Sequence, residues 1–370
     1  MKIKKIIIKT KSKTYPIYFG NEILNTVGKL IKKNIPNVEK ICVICDKNLP
    51  TQSLKKLTKS LKNYNLKIYK FSATEKTKSI NVAYKIIESL LKNNFNRSDC
   101  IIAFGGGILG DLTAFVSNLT KRGIKFVNIP TTLLAQVDAS IGGKTAINSN
   151  QGKNLIGTFY QPDFILTDTS ILNSLPEREM ICGYGEILKH ALILDKKFFL
   201  WLVKNAKKII GKKNKELLNL AIIKSCKVKA NVVNKDENEK YLRKILNFGH
   251  TFAHGFEATK NFSRKLNHGE AVLLGMIVAS KLSYSKKLLS FKDLKLIEDH
   301  YINLRLPIKI SKFFKKKEIE KIIYFMKKDK KNLNEKINLI LLKRIGKTTK
   351  PNNFNVNEAV LRKFLISNYS

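Results

Sequence analysis

The chain has little histidine, little arginine and no long apolar run, and each shortage narrows what it can be. Only five histidines and five cysteines occur among its 370 residues. Cys42, Cys45, Cys100, Cys182 and Cys226 are odd in number and irregularly spaced, which excludes a disulfide framework. Cys42 and Cys45 form a C-x-x-C in KICVICD, but that run reads as a buried strand, where residues three apart point to opposite faces. They are expected as small core residues, not as a redox pair. No segment reaches the length of a membrane-spanning helix. The opening MKIKKIIIKTKSK has too short an apolar run for a signal peptide, and charge resumes at once. A cytoplasmic protein without a membrane partner is the expectation. Acidic residues are short as well: 28 Asp and Glu face 70 Lys and Arg, a formal net charge of +42. Such an excess raises nucleic-acid or anionic-surface binding. The lysines, however, are spread over solvated positions throughout, whereas a nucleic-acid protein concentrates its basic residues and mixes in arginine and exposed aromatics. The charge reads as compositional drift with no nucleic-acid partner, although some basic residues can serve an anionic small substrate.

The scarce histidine is clustered. His250, His254 and His268 sit in NFGHTFAHGFEA and LNHGEAV, phrases that also carry Glu257 and Glu270. His250 and His254 are one helical turn apart and share a face of a helix. A metal site or proton-transfer chemistry is the sharper expectation, ordinary polar helix residues the plainer one. Position 251 is Thr, so the H-E-x-x-H protease motif is absent.

The length suggests two domains, and a 44% hydrophobic share is ordinary for a globular protein. Apolar strand candidates at 4–8, 40–46, 66–71, 100–104, 125–130 and 164–168 alternate with helical segments after 56 and at 79–94 and 110–122. This alternation predicts an α/β domain with a mostly parallel sheet. From about Leu175 helical periodicity dominates, so the boundary is placed near 172–178, giving an α/β domain at 1–174 and an all-α domain at 175–370. After the strand CIIAF comes Gly105-Gly106-Gly107-Ile108-Leu109-Gly110-Asp111 and then a helix. Glycines admit a close phosphate, and the helix N-terminus offers N–H groups and a positive dipole end. No acidic residue ends the next strand, so Asp46, at the end of an earlier one, is the candidate ribose partner. A second polar loop is expected over 130–157, with hydroxyls, glycines and lysines suited to phosphate or polyol binding.

The runs GGGILGD, IPTTLLAQVDASIGGKTAIN, GKNLIGTFYQP, GYGEILKH, LRKILNFGHTFAHGFE, HGEAV and MKKDKK occur in this order. Together they closely resemble the 3-dehydroquinate synthase family. The resemblance implies an NAD- and zinc-dependent homodimeric enzyme, with an α/β NAD-binding domain, a helical metal-binding domain and a site in the cleft between them. It implies conversion of 3-deoxy-D-arabino-heptulosonate 7-phosphate to 3-dehydroquinate and phosphate, in the shikimate route to aromatic amino acids. NAD would oxidise a hydroxyl beside the carbon that loses a proton, and the hydride would return before ring opening and an intramolecular aldol closure. Carried over by position, the metal ligands would be Glu186, His250 and His268, a set that leaves coordination positions open, with zinc or cobalt as the ion. The cofactor would meet Asp46, Glu75, Lys78, Gly106, Gly107, Asp111, Thr131, Thr132, Lys144, Lys153 and Ser174. Lys189, His254, Asp138, Arg243 and Asn247 would be catalytic; Arg122, Lys144, Asn154, Lys229, Glu239 and Lys330 (or its neighbour Lys331) would bind substrate. Two positions depart from the family pattern: Ser174 replaces a common Thr, and Tyr184 stands where smaller or different residues are usual. The alternatives are a related sugar-phosphate cyclase and a polyol or alcohol dehydrogenase, the latter needing no anion cage of the kind Lys153, Asn154, Arg243 and Asn247 suggest.

Overall fold

The computed structural model describes residues 3–263, 265–328 and 337–370. It divides into two compact units, Met1–Pro176 with Asn214–Asn238, and Glu177–Lys213 with Glu239–Ser370.

The first unit is built on β1 (Lys4–Lys9), β2 (Thr14–Gly20), α1 (Val27–Asn34), β3 (Lys40–Asp46), α2 (Thr51–Ser60), β4 (Asn65–Phe71), α3 (Ile80–Lys92), β5 (Cys100–Gly105), α4 (Gly107–Leu119), β6 (Lys125–Pro130), β7 (Lys144–Ser149), β8 (Gly152–Phe159) and β9 (Phe164–Asp168). Seven strands form one sheet in the order β1-β2-β9-β6-β5-β3-β4. Only the β1–β2 pair is antiparallel. The inner strands β3, β5, β6 and β9 are almost wholly buried, as continuous apolar runs with covered faces must be, whereas the edge strand β4 is only half-buried. Cys42 packs with the layer around Ile86 and Leu112, and Cys45 with the opposite layer around Ile31 and Leu57.

Two strand regions depart from expectation. β2 contains Pro16, which argues against a central strand, yet the ladder to β9 begins at Ile17, just past the missing N–H. The stretch expected as a polar loop at 130–157 holds a π-helical turn, Ala135–Ala139, and the β7–β8 hairpin. Alternation of polar and apolar residues is too weak there to betray strands.

The second unit begins with α5 (Glu177–Leu194) and α6 (Lys196–Ile210). The chain then returns to the first unit for α7 (Lys215–Lys235), which packs beside β1, β2 and the π-helical turn. Asn234 Oδ1 accepts from Lys9 N at 2.9 Å, and Cys226 Sγ lies 3.3 Å from the Gln136 carbonyl. A single cut at 174/175 therefore separates α7 from the sheet it covers: periodicity identifies a helix but not the surface its apolar face meets. The second unit continues with α8 (His250–Thr259), α9 (His268–Ser285), α10 (Phe291–Asn303), α11 (Ile319–Lys328) and α12 (Glu358–Ser367). It is not entirely helical, since β10 (Ile337–Asn338) pairs with β13 (Asn355–Val356), and β11 (Leu342–Arg344) with β12 (Lys347–Thr348). No helix among the described residues is long and apolar enough to cross a membrane.

Candidate active site

In the first unit the glycine run joins β5 to α4, with Gly106 as N-cap and Gly107 as first helical residue. Thr131 N donates to the Gly105 carbonyl at 3.0 Å, and Thr132 Oγ1 accepts from Ala135 N at 3.2 Å, so the threonines after β6 border this loop. Asp46 ends β3 and accepts from Asn48 N at 3.0 Å. Two polar networks lie beside them. Lys78 Nζ donates to Asp111 Oδ2 and to Asn154 Oδ1, both at 2.5 Å. Burial pushes the Asp111 carboxyl up in pKa, against the opposing pull of Lys78. Glu75 pairs with Lys153 at 3.0 Å and accepts from Asn148 Nδ2 at 2.8 Å. Burial raises the Glu75 pKa, but these two partners outweigh it and hold the carboxyl below its usual range. Asn148, which sequence reasoning missed, thereby ties β7 to the 75–78 segment; no motif marks it. Asp138 Oδ1 meets Lys229 Nζ of α7 at 2.5 Å. Arg122 and Asn154 have φ of 60° and 57°, and Lys144 opens β7 with its side chain exposed. Ser174 Oγ donates to the Ile171 carbonyl at 3.1 Å and so closes the turn before α5, leaving its oxygen able to accept.

In the second unit α5, α8 and α9 bring together Glu186, His250 and His268, whose ligand atoms lie within 4.8 Å of one another. His254 is outside this set, although its ring stands 5.8 Å from that of His250 at an interplanar angle of 89°. Two glycines make the convergence possible. Gly249, just before His250, has φ 78°, and a Cβ there would come 2.6 Å from the Met276 side chain. A Cβ on Gly269 would come 2.3 Å from Cys182 Cα, so α5 and α9 cross with almost nothing between them. The start of α9 is fixed by a capping box between Asn267 and Glu270, and Arg178 of α5 grips the same Glu270 at 2.8 and 2.6 Å.

Glu186 is fully buried, and neither carboxylate oxygen accepts a hydrogen bond from a described residue. Lys189 forms an ion pair with Oε2, and His250 Nε2 lies 3.7 Å from Oε1. With the carboxylate already facing the Lys189 ammonium, it is the donor set that points to a metal: two imidazoles with one buried carboxylate suit a divalent ion of the zinc type. His268 Nδ1 is 3.1 Å from Glu257 Oε2. Burial lowers the His268 pKa, but the Glu257 charge and hydrogen bond, helped by Glu186, raise it to about 9. A metal ion must displace that proton. Nearby, Asn247 Nδ2 donates to Glu239 Oε1 at 2.8 Å, and Arg243 is 2% exposed. Tyr184 is explained by its neighbour: its hydroxyl lies 2.6 Å from His300 Nε2, and both side chains are buried. Lys330 and Lys331 lie outside the described residues.

One unit thus has a glycine loop at a helix N-terminus, and the other a ligand set for a divalent ion. That division of labour defines a class of metal-assisted, nucleotide-using α/β enzymes. Comparison with known proteins narrows the class. The profile of the 3-dehydroquinate synthase N-terminal domain matches residues 68–182, and that of the C-terminal domain residues 183–332. The 3-dehydroquinate synthase of Pelagibacter ubique (strain HTCC1062) is 52% identical over 346 residues, 94% of each chain. A crystal structure of 2-deoxy-scyllo-inosose synthase complexed with carbaglucose-6-phosphate, NAD+ and Co2+ superposes with a TM-score of 0.86 at 25% identity, covering 99% of this chain and 100% of the other. A 2-epi-5-epi-valiolone synthase from Streptomyces hygroscopicus subsp. jinggangensis 5008, with NAD+ and Zn2+ bound, shares the fold with a TM-score of 0.84 at 23% identity, covering 96% and 97%. The chain belongs to the 3-dehydroquinate synthase family.

Proposed function

We propose that this chain converts 3-deoxy-D-arabino-heptulosonate 7-phosphate to 3-dehydroquinate and phosphate as a lyase, with NAD on the first unit and zinc or cobalt on the second, and that it works as a homodimer. The observation that carries the metal half is the buried Glu186 beside two histidines, with their ligand atoms within 4.8 Å of one another. Family membership supplies the substrate, and the NAD+ with Co2+ or Zn2+ of the two synthase structures supports the cofactor pair. When bound, the nicotinamide would take up and return a hydride while the metal lowers the pKa of the hydroxyl being oxidised.

The chain's own residues supply binding, orientation and proton transfer. Glu186, His250 and His268 hold the ion. Gly106 and Gly107 admit the pyrophosphate at the start of α4, with Asp46, Thr131, Thr132 and Ser174 as polar partners of the nucleotide. The Glu75–Lys153 and Lys78–Asp111 pairs fix the 75–78 segment and the β7–β8 hairpin around it, and Lys144 reaches both cofactor and substrate. Arg122, Asn154, Lys229, Glu239 and Lys330 bind the substrate. Arg243, held rigid by burial, suits a two-point grip on a carboxylate or phosphate, and Asn247 is oriented by Glu239. His254, beside a ligand but outside the ligand set, is placed to pass a proton, with Lys189 and Asp138 assisting. Most of the rate enhancement would come from positioning and electrostatics.

The test measures phosphate release from the heptulosonate phosphate with NAD and zinc present while following NADH absorbance. Phosphate without net NADH is the expected result. Absence of phosphate, or NADH formed stoichiometrically from a simple polyol, overturns the reading.

A further inference from the structure

Glu257 and Glu270 both sit in the histidine phrases, yet neither belongs to the proposed ligand set. Glu270 is committed to the Asn267 cap and to Arg178, and so secures the start of α9. We infer that Glu257 is the positioning residue of the metal centre: it accepts the Nδ1 proton of His268 and thereby aims that ring's Nε2 at the ion.

This rests on the metal reading above. His268 is the first residue of α9, where a ring can swing and offer either nitrogen. Glu257 removes that choice, with Oε2 3.1 Å from Nδ1 and a side chain too buried, at 9% residue exposure, to swing away. His250 follows the same rule with a backbone partner. Its Nδ1 lies 3.3 Å from the Phe248 carbonyl, and its Nε2 turns toward Glu186. Each imidazole therefore has Nδ1 engaged by an oxygen and keeps Nε2 for the ion, the arrangement that fixes both tautomer and ring plane. The two partners differ in kind. A carbonyl only orients the ring, whereas a carboxylate also makes it a stronger donor. α8 thus contributes twice, with a ligand at its first residue and, seven positions on and on the same side, the acceptor that orients the other histidine.

The full-length protein tests this through metal affinity and spectroscopy. In competition with a chromophoric chelator, Glu257→Ala is expected to bind zinc about 10- to 100-fold more weakly. Glu257→Gln, whose amide oxygen can still accept from Nδ1, should fall between the two. Cobalt-loaded Glu257→Ala should show shifted visible absorption, whereas a merely structural role would leave the zinc affinity and the cobalt spectrum of the folded variant alone. Should Glu257→Ala fail to fold, Glu257→Gln carries the same comparison. Zinc affinity within about twofold of the parent, or an unchanged cobalt spectrum, overturns the inference. A parent protein that binds neither ion overturns the metal reading itself, which is a separate result.

Discussion

In the first unit the carboxylates near the glycine loop are answered by neighbours: Asp111 by Lys78, Glu75 by Lys153 and Asn148, Asp138 by Lys229. In the second, Glu186 is fully buried with an ion pair to Lys189 and no hydrogen bond to either oxygen among the described residues. In the first arrangement each carboxylate is paired with a cation of the frame itself. The second brings a buried carboxylate and two imidazoles within reach of a single divalent ion. One region is built as a frame and the other as a trap.

The strongest way to break this contrast is Glu186→Gln. It should reduce zinc affinity by more than the ~100-fold expected for losing an outer partner, and His250→Ala should do the same, both read by chelator competition. If either variant keeps its zinc, the trap lies elsewhere. His254→Ala should instead retain zinc and lose about 10²- to 10⁴-fold in turnover. Equal zinc loss in the His250 and His254 variants would collapse the division between ligand and proton carrier.

A third test uses a buried polar pair in the second unit that is satisfied internally. His300, held neutral by burial, has its pKa lowered to about 4. The unfolded chain takes up this proton near pH 6.5 and the folded chain resists it, so stability is lost as pH falls from about 6.5 toward 4, and no further below that. The total is about 3 kcal/mol, measured by urea unfolding across that range, and His300→Gln should flatten the dependence. The smallest effects belong to the frame. Lys78→Met leaves Asp111 without its cation and should cost about 1–3 kcal/mol of stability while weakening NAD binding in a titration. Lys153→Ala, whose partner Glu75 is nearly half exposed, should cost no more than about 1 kcal/mol.

Much of the fold was legible along the chain. The six apolar runs read as strands are the strands β1, β3, β4, β5, β6 and β9, because covered parallel strands need continuous apolar side chains. β2 was hidden by Pro16, and β7 and β8 by a polar hairpin. For the site, spacing put His250 and His254 on one helical face, which is where they are, but spacing could not say that only one of them joins His268. Nor could it choose between Glu257 and Glu270 as that ring's partner, since both carboxylates lie close to it in sequence. Tyr184 looked like an unexplained departure until His300, more than a hundred positions away, proved to be its hydrogen-bond partner.

The order of motifs by itself determined the family, and local apolar periodicity determined most of the strands and helices, since both are properties of short stretches of chain. Tertiary structure decided which distant groups meet. It returned α7 to the first unit, crossed α5 over α9 at Gly269, and set Glu186 beside two histidines more than sixty positions downstream. Such meetings depend on how whole helices pack against one another at native density, and no single stretch of sequence contains that information.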